Sequence, residues 1–600
     1  MEAHLTDRIR AALARFVAES APDLADGFDA AAVEVEFQTP KDPAHGDLAT
    51  NVALQLARPL KRPPRQIAEG IARHIEADPA RVAAVEVAGP GFLNVRFASA
   101  HLADGLAAIL EAGDAYGRTD DHAGETAIVE YVSANPTGPL TVGHGRNAVL
   151  GDTLANLLAW TGYRVTREYY FNDAGRQMRV LGQSVRARYT ALVRPDTPTT
   201  TLEDGLEVPE GFPEDGYRGG YIEDVARELA DGYGDALLGA ETERPFKEAA
   251  QGAIFADIER TLTRLGVRMD TYFNEHVLYE PAEGGGTAPV WDVVERLKAE
   301  GLAYEEDGAV WFRTSALGKT VADADGEAGK DVVLVKSTGE PTYRLPDIAY
   351  HQEKLARGFA LVLDVFGADH IATYPDVVRG VRALEGDEAA DRIDVVVYQF
   401  VTLVRGGEPV KMSTRKANYV TLDELMDEVN AVLAEKSEGE VAADAGPDVV
   451  RFFFLVRSPN THLEFDLDQA TEASDKNPVF YLQYAHARIA SIERKAAETG
   501  LGADAGADLS LLTHEAEEAL VKTLLLFPDE VRAAAEARGP HKLATYLRDV
   551  ATAFNQFYRD CRIVGEEPAL AAARLRLARA ARTVLANGLA VLGISAPDRM

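Results

Sequence analysis

The sequence predicts a multidomain α/β plus all-α chain: a small N-terminal α/β domain, a central parallel-sheet core, and a C-terminal helical bundle. Three observations predict it. Six hundred residues exceed what one hydrophobic core serves, so about three domains are expected. Between about 119 and 445, short β-branched runs alternate with helical patterns, as parallel strands joined by crossover helices require. From about Pro447 to Ile594, alanine-, leucine- and arginine-rich stretches carry helical periodicity only. The expected domains are 1–118, 119–445 and 446–600, with a peripheral insertion near 190–250 and a linker at 442–447.

In the first domain, Arg8 to Val17 has a helical spacing of apolar residues and Val33 to Phe37 alternates like a strand. Asp47 reads as the N-cap of a helix running to Leu56. Val85 to Ala88 and Leu93 to Phe97 flank Gly89-Pro90-Gly91, a turn signal between two strands. A helix then leads to Gly113 and a polar hinge from Arg118 to Gly124. In the core, Ala127 to Val132, Val165 to Phe171, Val332 to Lys336, Leu361 to Phe366 and Ile393 to Gln399 are expected strands. The last three suit buried parallel positions. Asn147 to Trp160 is an expected helix, and 195–245 is rich in Thr, Pro, Gly and acids, as inserted surface segments are.

Composition excludes some functions. The single cysteine, Cys561, rules out an intrachain disulfide and a multi-cysteine zinc cluster. The N-terminus lacks the apolar core of a signal peptide and no apolar run reaches membrane-spanning length, so a cytoplasmic protein without membrane contact is expected. The net charge of −34 has two readings. One is a protein that avoids nucleic acid. The other is adaptation to molar salt, where repulsion is screened within about 3 Å. Scarce lysine and scattered Asp and Glu favour salt adaptation, so local basic clusters say more about partners than net charge does.

Chemistry concentrates in two distant segments. Pro136, Gly138, Pro139 and Gly143 hold an open loop between a strand and a helix that begins at Val142-Gly143-His144-Gly145-Arg146-Asn147. A helix start offers free N–H groups and a positive dipole to phosphate, and Gly143 lets a ligand approach. Lys411-Met412-Ser413-Thr414-Arg415 follows Gly406-Gly407 in a polar loop whose cations could neutralise a leaving pyrophosphate. Together they suggest a nucleotide site closed by a mobile basic loop. Glu130 and Asn135 lie near a strand's carboxyl end, where open α/β sheets bind ligands. Tyr343, Asp347 and Tyr350 share one face if their segment is helical, and a carboxylate among aromatics suits a cationic ligand. Asp369-His370 ends another strand. Each cluster also has a plain structural reading: a capping histidine, a solvated loop, packed tyrosines. The arginines Arg574, Arg576, Arg579 and Arg582 could meet phosphates or solvent, and Tyr481, Tyr484, Phe557 and Tyr558 could stack on bases or fill a core.

Taken together the motifs resemble the class I arginyl-tRNA synthetases along nearly the whole chain. Val129 to Pro139 looks like the family's entry to its HIGH motif, and Lys411 to Arg415 resembles its KMSKS motif. Asn172 to Gln177 resembles the block after the second strand, and Asn477 to Ile489 the opening of the anticodon-binding domain. His45-Gly46-Asp47, Gly89 to Asn94 and the ending Pro597-Asp598-Arg599-Met600 are similar to its terminal blocks.

The resemblance implies a Rossmann-type catalytic core, a first domain that touches tRNA, and a helical bundle that reads the anticodon. It implies that arginine and ATP give arginyl-adenylate, with tRNA(Arg) bound, and that arginine then passes to the tRNA 3′ end. Magnesium accompanies ATP; no protein-bound metal and a monomer are expected. By family position, ATP meets Pro136, Gly143, His144, Asn147, Lys411, Met412 and Ser413, with His144, Lys411 and Thr141 catalytic. Arginine meets Glu130, Ser133, Asn135, Tyr343, Asp347 and His370. tRNA meets Tyr484, Arg488, Tyr558 and Met600. The sequence departs from the family at Thr141, which stands for the first histidine of HIGH, and at Thr414-Arg415 of KMSKS. A hydroxyl still donates a hydrogen bond but carries no charge. Thr141 leaves open a tRNA-binding paralogue with a degraded site; a class I synthetase for another amino acid is the other alternative.

Overall fold

The computed structural model describes all residues except 1, 21, 23–26, 39, 41, 43–44, 174, 204, 282–284, 319–329, 411–419, 437–444, 473, 475 and 503–505. Five strands build the central sheet: β1 (Thr126–Glu130), β2 (Arg164–Phe171), β3 (Thr271–Asn274), β4 (Leu361–Gly367) and β5 (Ile393–Tyr398). Their order is β5-β4-β1-β2-β3, and every pairing is parallel. Ala127, Ile128 and Val129 at its centre are buried on both faces, which is why β1 reads as a continuous apolar run. The order reverses at β1, so the open crevice lies beyond the carboxyl ends of β1 and β4.

Helix α1 (Val142–Trp160) follows β1, and helix α2 (Arg344–Ala356) precedes β4. α1 begins at Val142, where the glycine-containing motif opens, with Thr141 as its N-cap. Its closeness to the strand end depends on Gly151, where a Cβ would lie 2.1 Å from the Tyr131 ring.

Several expectations change. Val332–Val335 is a strand, but it pairs antiparallel with Ala309–Phe312 in a separate three-stranded sheet. β-branched content reports a buried strand without its direction. Val33 to Phe37 forms no strand; only Gln38 makes an isolated bridge to Ala49. Leu48–Thr50 is a strand, not the first turn of a helix, and the helix is only Val52–Gln55. Asp47 does not cap it: its carboxylate accepts the Phe97 N–H at 2.6 Å and pairs with Lys522 at 2.8 Å. The insertion holds a two-stranded hairpin, Thr199–Thr201 with Glu207–Pro209, then helices Gly220–Tyr233 and Arg244–Arg264. The C-terminal region is helical but includes Leu463–Asp466, a strand parallel to Val401–Arg405.

The C-terminal bundle is pinned to the sheet domain through α3 (Pro568–Leu592). Arg451, 1% exposed, donates to Leu592 O, to Leu265 O and to Asp152 Oδ2 at 2.6 Å. Asn156 of α1 donates to Val591 O, and Asn587 of α3 to Gly113 O and Tyr116 O.

Candidate active site

The loop leaving β1 is strained where it opens the crevice. Val132 and Ser133 have φ of 65° and 40°, a left-handed conformation that a β-branched residue strongly disfavours. Side chains hold it there. Asn147 Oδ1 accepts the Val132 N–H at 2.7 Å while its Nδ2 donates to Val365 O at 2.9 Å. Asn147 therefore braces the ends of β1 and β4. Pro136 is buried within the same loop.

At the start of α1, the Thr141 N–H donates to His144 Nδ1 at 3.1 Å, one arm of a capping box. With Nδ1 accepting, Nε2 carries the hydrogen and can donate to an anion. Burial pushes the imidazole down to about 4, so His144 acts as a neutral donor. A Cβ at Gly143 would meet only Thr141 Oγ1, at 3.8 Å, which leaves the helix start open. At Gly145 a Cβ would lie 2.6 Å from Leu422, so that glycine admits the neighbouring chain.

That chain is the return from the second motif. Val410 N–H donates to Leu403 O on the outgoing side. On the return side Thr421 bridges Thr141 and Leu422 N–H donates to Leu140 O at 2.8 Å. Lys411, Met412 and Ser413 lie outside the described residues; Thr421 and Leu422, beyond them in the chain, sit against the loop before α1.

A cluster of paired acidic and basic side chains lies at the carboxyl ends of β1 and β4 and along α2. Glu130 accepts Ser133 Oγ at 2.9 Å and Lys354 Nζ at 2.5 Å. Lys354 also donates to Asp364 Oδ1 at 2.6 Å, and His351 Nε2 lies 2.7 Å from Asp364 Oδ2. Both His351 nitrogens face acceptors, the other being Asp347 O at 2.7 Å, so both carry hydrogen and the ring is cationic. Burial would lower His351, but Asp364 carries it above its ordinary value. Glu168 takes a bidentate grip from Arg357 at 2.6 and 2.7 Å and a hydrogen bond from Tyr350 at 2.5 Å. Asp347 is different. No described residue hydrogen-bonds its carboxylate, and burial pushes that carboxyl up to about 7.

The expected arginine contacts split between two neighbouring spaces. Asp347 and His370 border one small cleft, where His370 stacks on Phe366 with ring centroids 5.0 Å apart. Tyr343 lies at the mouth of a larger cleft of about 560 Å³, with Gln177, Glu275, Tyr279 and Lys336. Asn135 donates to Gln177 Oε1 at 2.9 Å. Tyr343 is 70% exposed and Tyr350 only 2%, so the two tyrosines do different work.

In the bundle, Tyr484 and Arg488 line a cleft of about 320 Å³ with Tyr481 and Asn555. Arg488 lies over the half-exposed Tyr558 ring at 6.0 Å. Met600 packs against the hydrophobic core, while Phe557 is wholly buried and unable to stack on a base. Arg574 is a core residue paired with Glu517 at 2.6 Å; Arg579 and Arg582 share Glu493.

Comparison with known proteins gives three family matches along the chain. Residues 3–97 match the arginyl tRNA synthetase N terminal domain, 106–445 the class I (R) tRNA synthetase catalytic domain, and 482–600 the DALR anticodon binding domain. The arginine–tRNA ligase of Salinibacter ruber is 58% identical, covering 99% of this chain and all of the relative. That of Desulfotalea psychrophila is 46% identical over 95% of this chain and 96% of its own length. The chain belongs to the class I arginyl-tRNA synthetases. The fold of the Thermus thermophilus arginyl-tRNA synthetase agrees, with a TM-score of 0.73 over 98% of this chain and 99% of that one at 22% identity.

Within this arginyl-tRNA synthetase the residues that sequence reading missed are those behind the crevice: His351, Lys354, Asp364, Glu168, Arg357 and Glu275. One signal was available. His351 and Lys354 follow Asp347 at spacings of four and seven, the same face of α2. No helix among the described residues is long and apolar enough to cross a membrane.

Proposed function

We propose that this chain condenses arginine with ATP to arginyl-adenylate and passes the arginyl group to the 3′ end of tRNA(Arg), with the chemistry at the mouth of α1. The observation that carries the residue-level reading is the pairing of Leu140-Thr141 with Thr421-Leu422. It supports a site in which Lys411 and the start of α1 face one triphosphate. The arginine carboxylate attacks the α-phosphorus and pyrophosphate leaves in line. The α1 N–H groups, His144 Nε2–H and Lys411 would stabilise the charge that builds on the phosphates. Asp347 would take the guanidinium, with Glu130, Ser133, Asn135, Tyr343 and His370 around it. A guanidinium gives a carboxylate two parallel hydrogen bonds that an ammonium does not.

We assign tRNA contact to Tyr484, Arg488, Tyr558 and Met600, in a division of the chain at 1–118, 119–445 and 446–600. Magnesium is proposed to enter on the ATP phosphates, and a cytoplasmic monomer adapted to salt is the expected setting. The test is pyrophosphate exchange with tRNA(Arg) and a panel of amino acids. Exchange with arginine alone supports the reading; exchange with another amino acid, or with none, overturns it.

A further inference from the structure

Lys354 is 0% exposed, and its ammonium sits between two buried carboxylates. A buried charge survives only when paired and hydrogen-bonded, so this lysine is costly unless the arrangement needs it. Burial alone would lower it, but Asp364 and Glu130 hold it above its ordinary value. Burial would raise Asp364, but Lys354 and His351 draw it well below the usual carboxylate range. Burial raises the Glu130 carboxyl and the Lys354 ammonium, 2.5 Å away, opposes that rise; in the ion-paired form Lys354 and His351 balance Glu130 and Asp364, so the group carries no net charge. Asp347 stands in front of it with no hydrogen bond to its carboxylate from any described residue.

We propose that Lys354 is a positioning residue of the arginine site: locked between Glu130 and Asp364, its ammonium fixes the Glu130 carboxylate and cancels the charge behind Asp347, leaving Asp347 to meet the substrate guanidinium. The proposal rests on the assignment of Asp347 to arginine. The charged and titratable groups facing Asp347 are His351 and Lys354 on its own helix, Glu130 from β1, Tyr170 from β2, Glu275 and Tyr279 from the turn at Glu275–Tyr279, and His370 and Tyr374 across the small cleft; Asp364 acts on it through Lys354 and His351. Removing Lys354 leaves this surrounding more negative. Neutralising Asp364 while His351 keeps its proton, through Nδ1 on Asp347 O, leaves it more positive. The two changes therefore push the protonation of Asp347 in opposite directions, which a merely structural lysine would not do.

The experiment measures arginine KM against pH by tRNA-dependent pyrophosphate exchange, with ATP KM alongside. In Lys354→Met the arginine KM rises about tenfold at neutral pH and its pH midpoint moves up by about one unit, while ATP KM stays within about twofold. In Asp364→Asn the midpoint moves down. Lys354→Arg, which keeps the charge, keeps the midpoint. Unmoved midpoints in folded Lys354→Met and Asp364→Asn overturn the proposal, as does a loss shared equally by arginine and ATP. If Lys354→Met does not fold, Lys354→Gln takes its place in the same measurement, with the same upward shift expected and an unmoved midpoint overturning the proposal. Asp347→Asn separates the underlying assignment: if it leaves arginine KM and its pH dependence intact, Asp347 is not the guanidinium partner and both ideas fail. If it abolishes the pH dependence while the other variants behave as wild type, only the Lys354 proposal fails.

Discussion

Thr141 and Thr421, 280 positions apart in the chain, pair as an isolated antiparallel bridge. One caps the helix whose first N–H groups we assign to phosphate. The other is two residues past the segment containing Lys411. The bridge fixes Thr421 beside the start of α1. Lys411→Ala is accordingly expected to lower pyrophosphate exchange by about two decades, the usual loss when one donor to developing charge is removed. Affinity for tRNA, measured by filter binding, should change little, since the bundle's aromatic cleft is elsewhere. An unchanged exchange rate would exclude Lys411 from the step.

The assignment of Asp347 to the guanidinium predicts pH-dependent arginine binding. Its carboxyl is raised by burial to about 7, so below that pH it is protonated in the empty site and offers the guanidinium no counter-charge. Arginine KM should fall as pH rises from about 6 to about 8, and one proton should be released per arginine bound on the acid side of the midpoint. Calorimetry in buffers of different ionisation enthalpy measures that proton. No proton release near the midpoint would show that Asp347 does not bind the substrate as a carboxylate.

Thr141 has a structural part to play as well as any catalytic one. It caps α1 and orients His144 through Nδ1. Thr141→Ala should cost about 1 kcal/mol of stability in urea unfolding, the usual loss of an N-cap. Its backbone N–H remains, so His144 keeps its tautomer and exchange should fall far less than in His144→Ala. A collapse of activity equal to that of His144→Ala would mean that the hydroxyl itself touches the phosphates.

What could be read from the chain was set by how local each cause is. The alternation of strands and helices around Val129 and Val365 is local, and the parallel sheet follows from it. The direction of Val332–Val335 is not local: its partner Ala309–Phe312 decides it. Asp47 has the composition of an N-cap, yet the Phe97 N–H and the Lys522 ammonium from the bundle claim it. The site shows the same division. His144 and Asp347 sit in motifs and are visible in the sequence. Asp364 reads as one polar residue inside an apolar strand, and only the folded chain brings it against Lys354.

Arg451 and Asp152 form the joint between the bundle and α1, and this pair should govern stability. Their contact is 2.6 Å, and the guanidinium also caps the carbonyl of Leu592 at the end of α3. Arg451→Met leaves Asp152 nearly buried with only Arg167, at 3.7 Å, to offset its charge, so the loss should reach about 3–5 kcal/mol. Asp152→Asn leaves the arginine its two carbonyls and should cost less. Because α1 carries His144 at its other end, a loosened joint should also lower kcat for exchange while arginine KM stays near the wild-type value. Denaturant unfolding and steady-state exchange on the two variants check both parts; an arginine KM that moves with kcat would place the effect in the arginine pocket rather than at the start of α1.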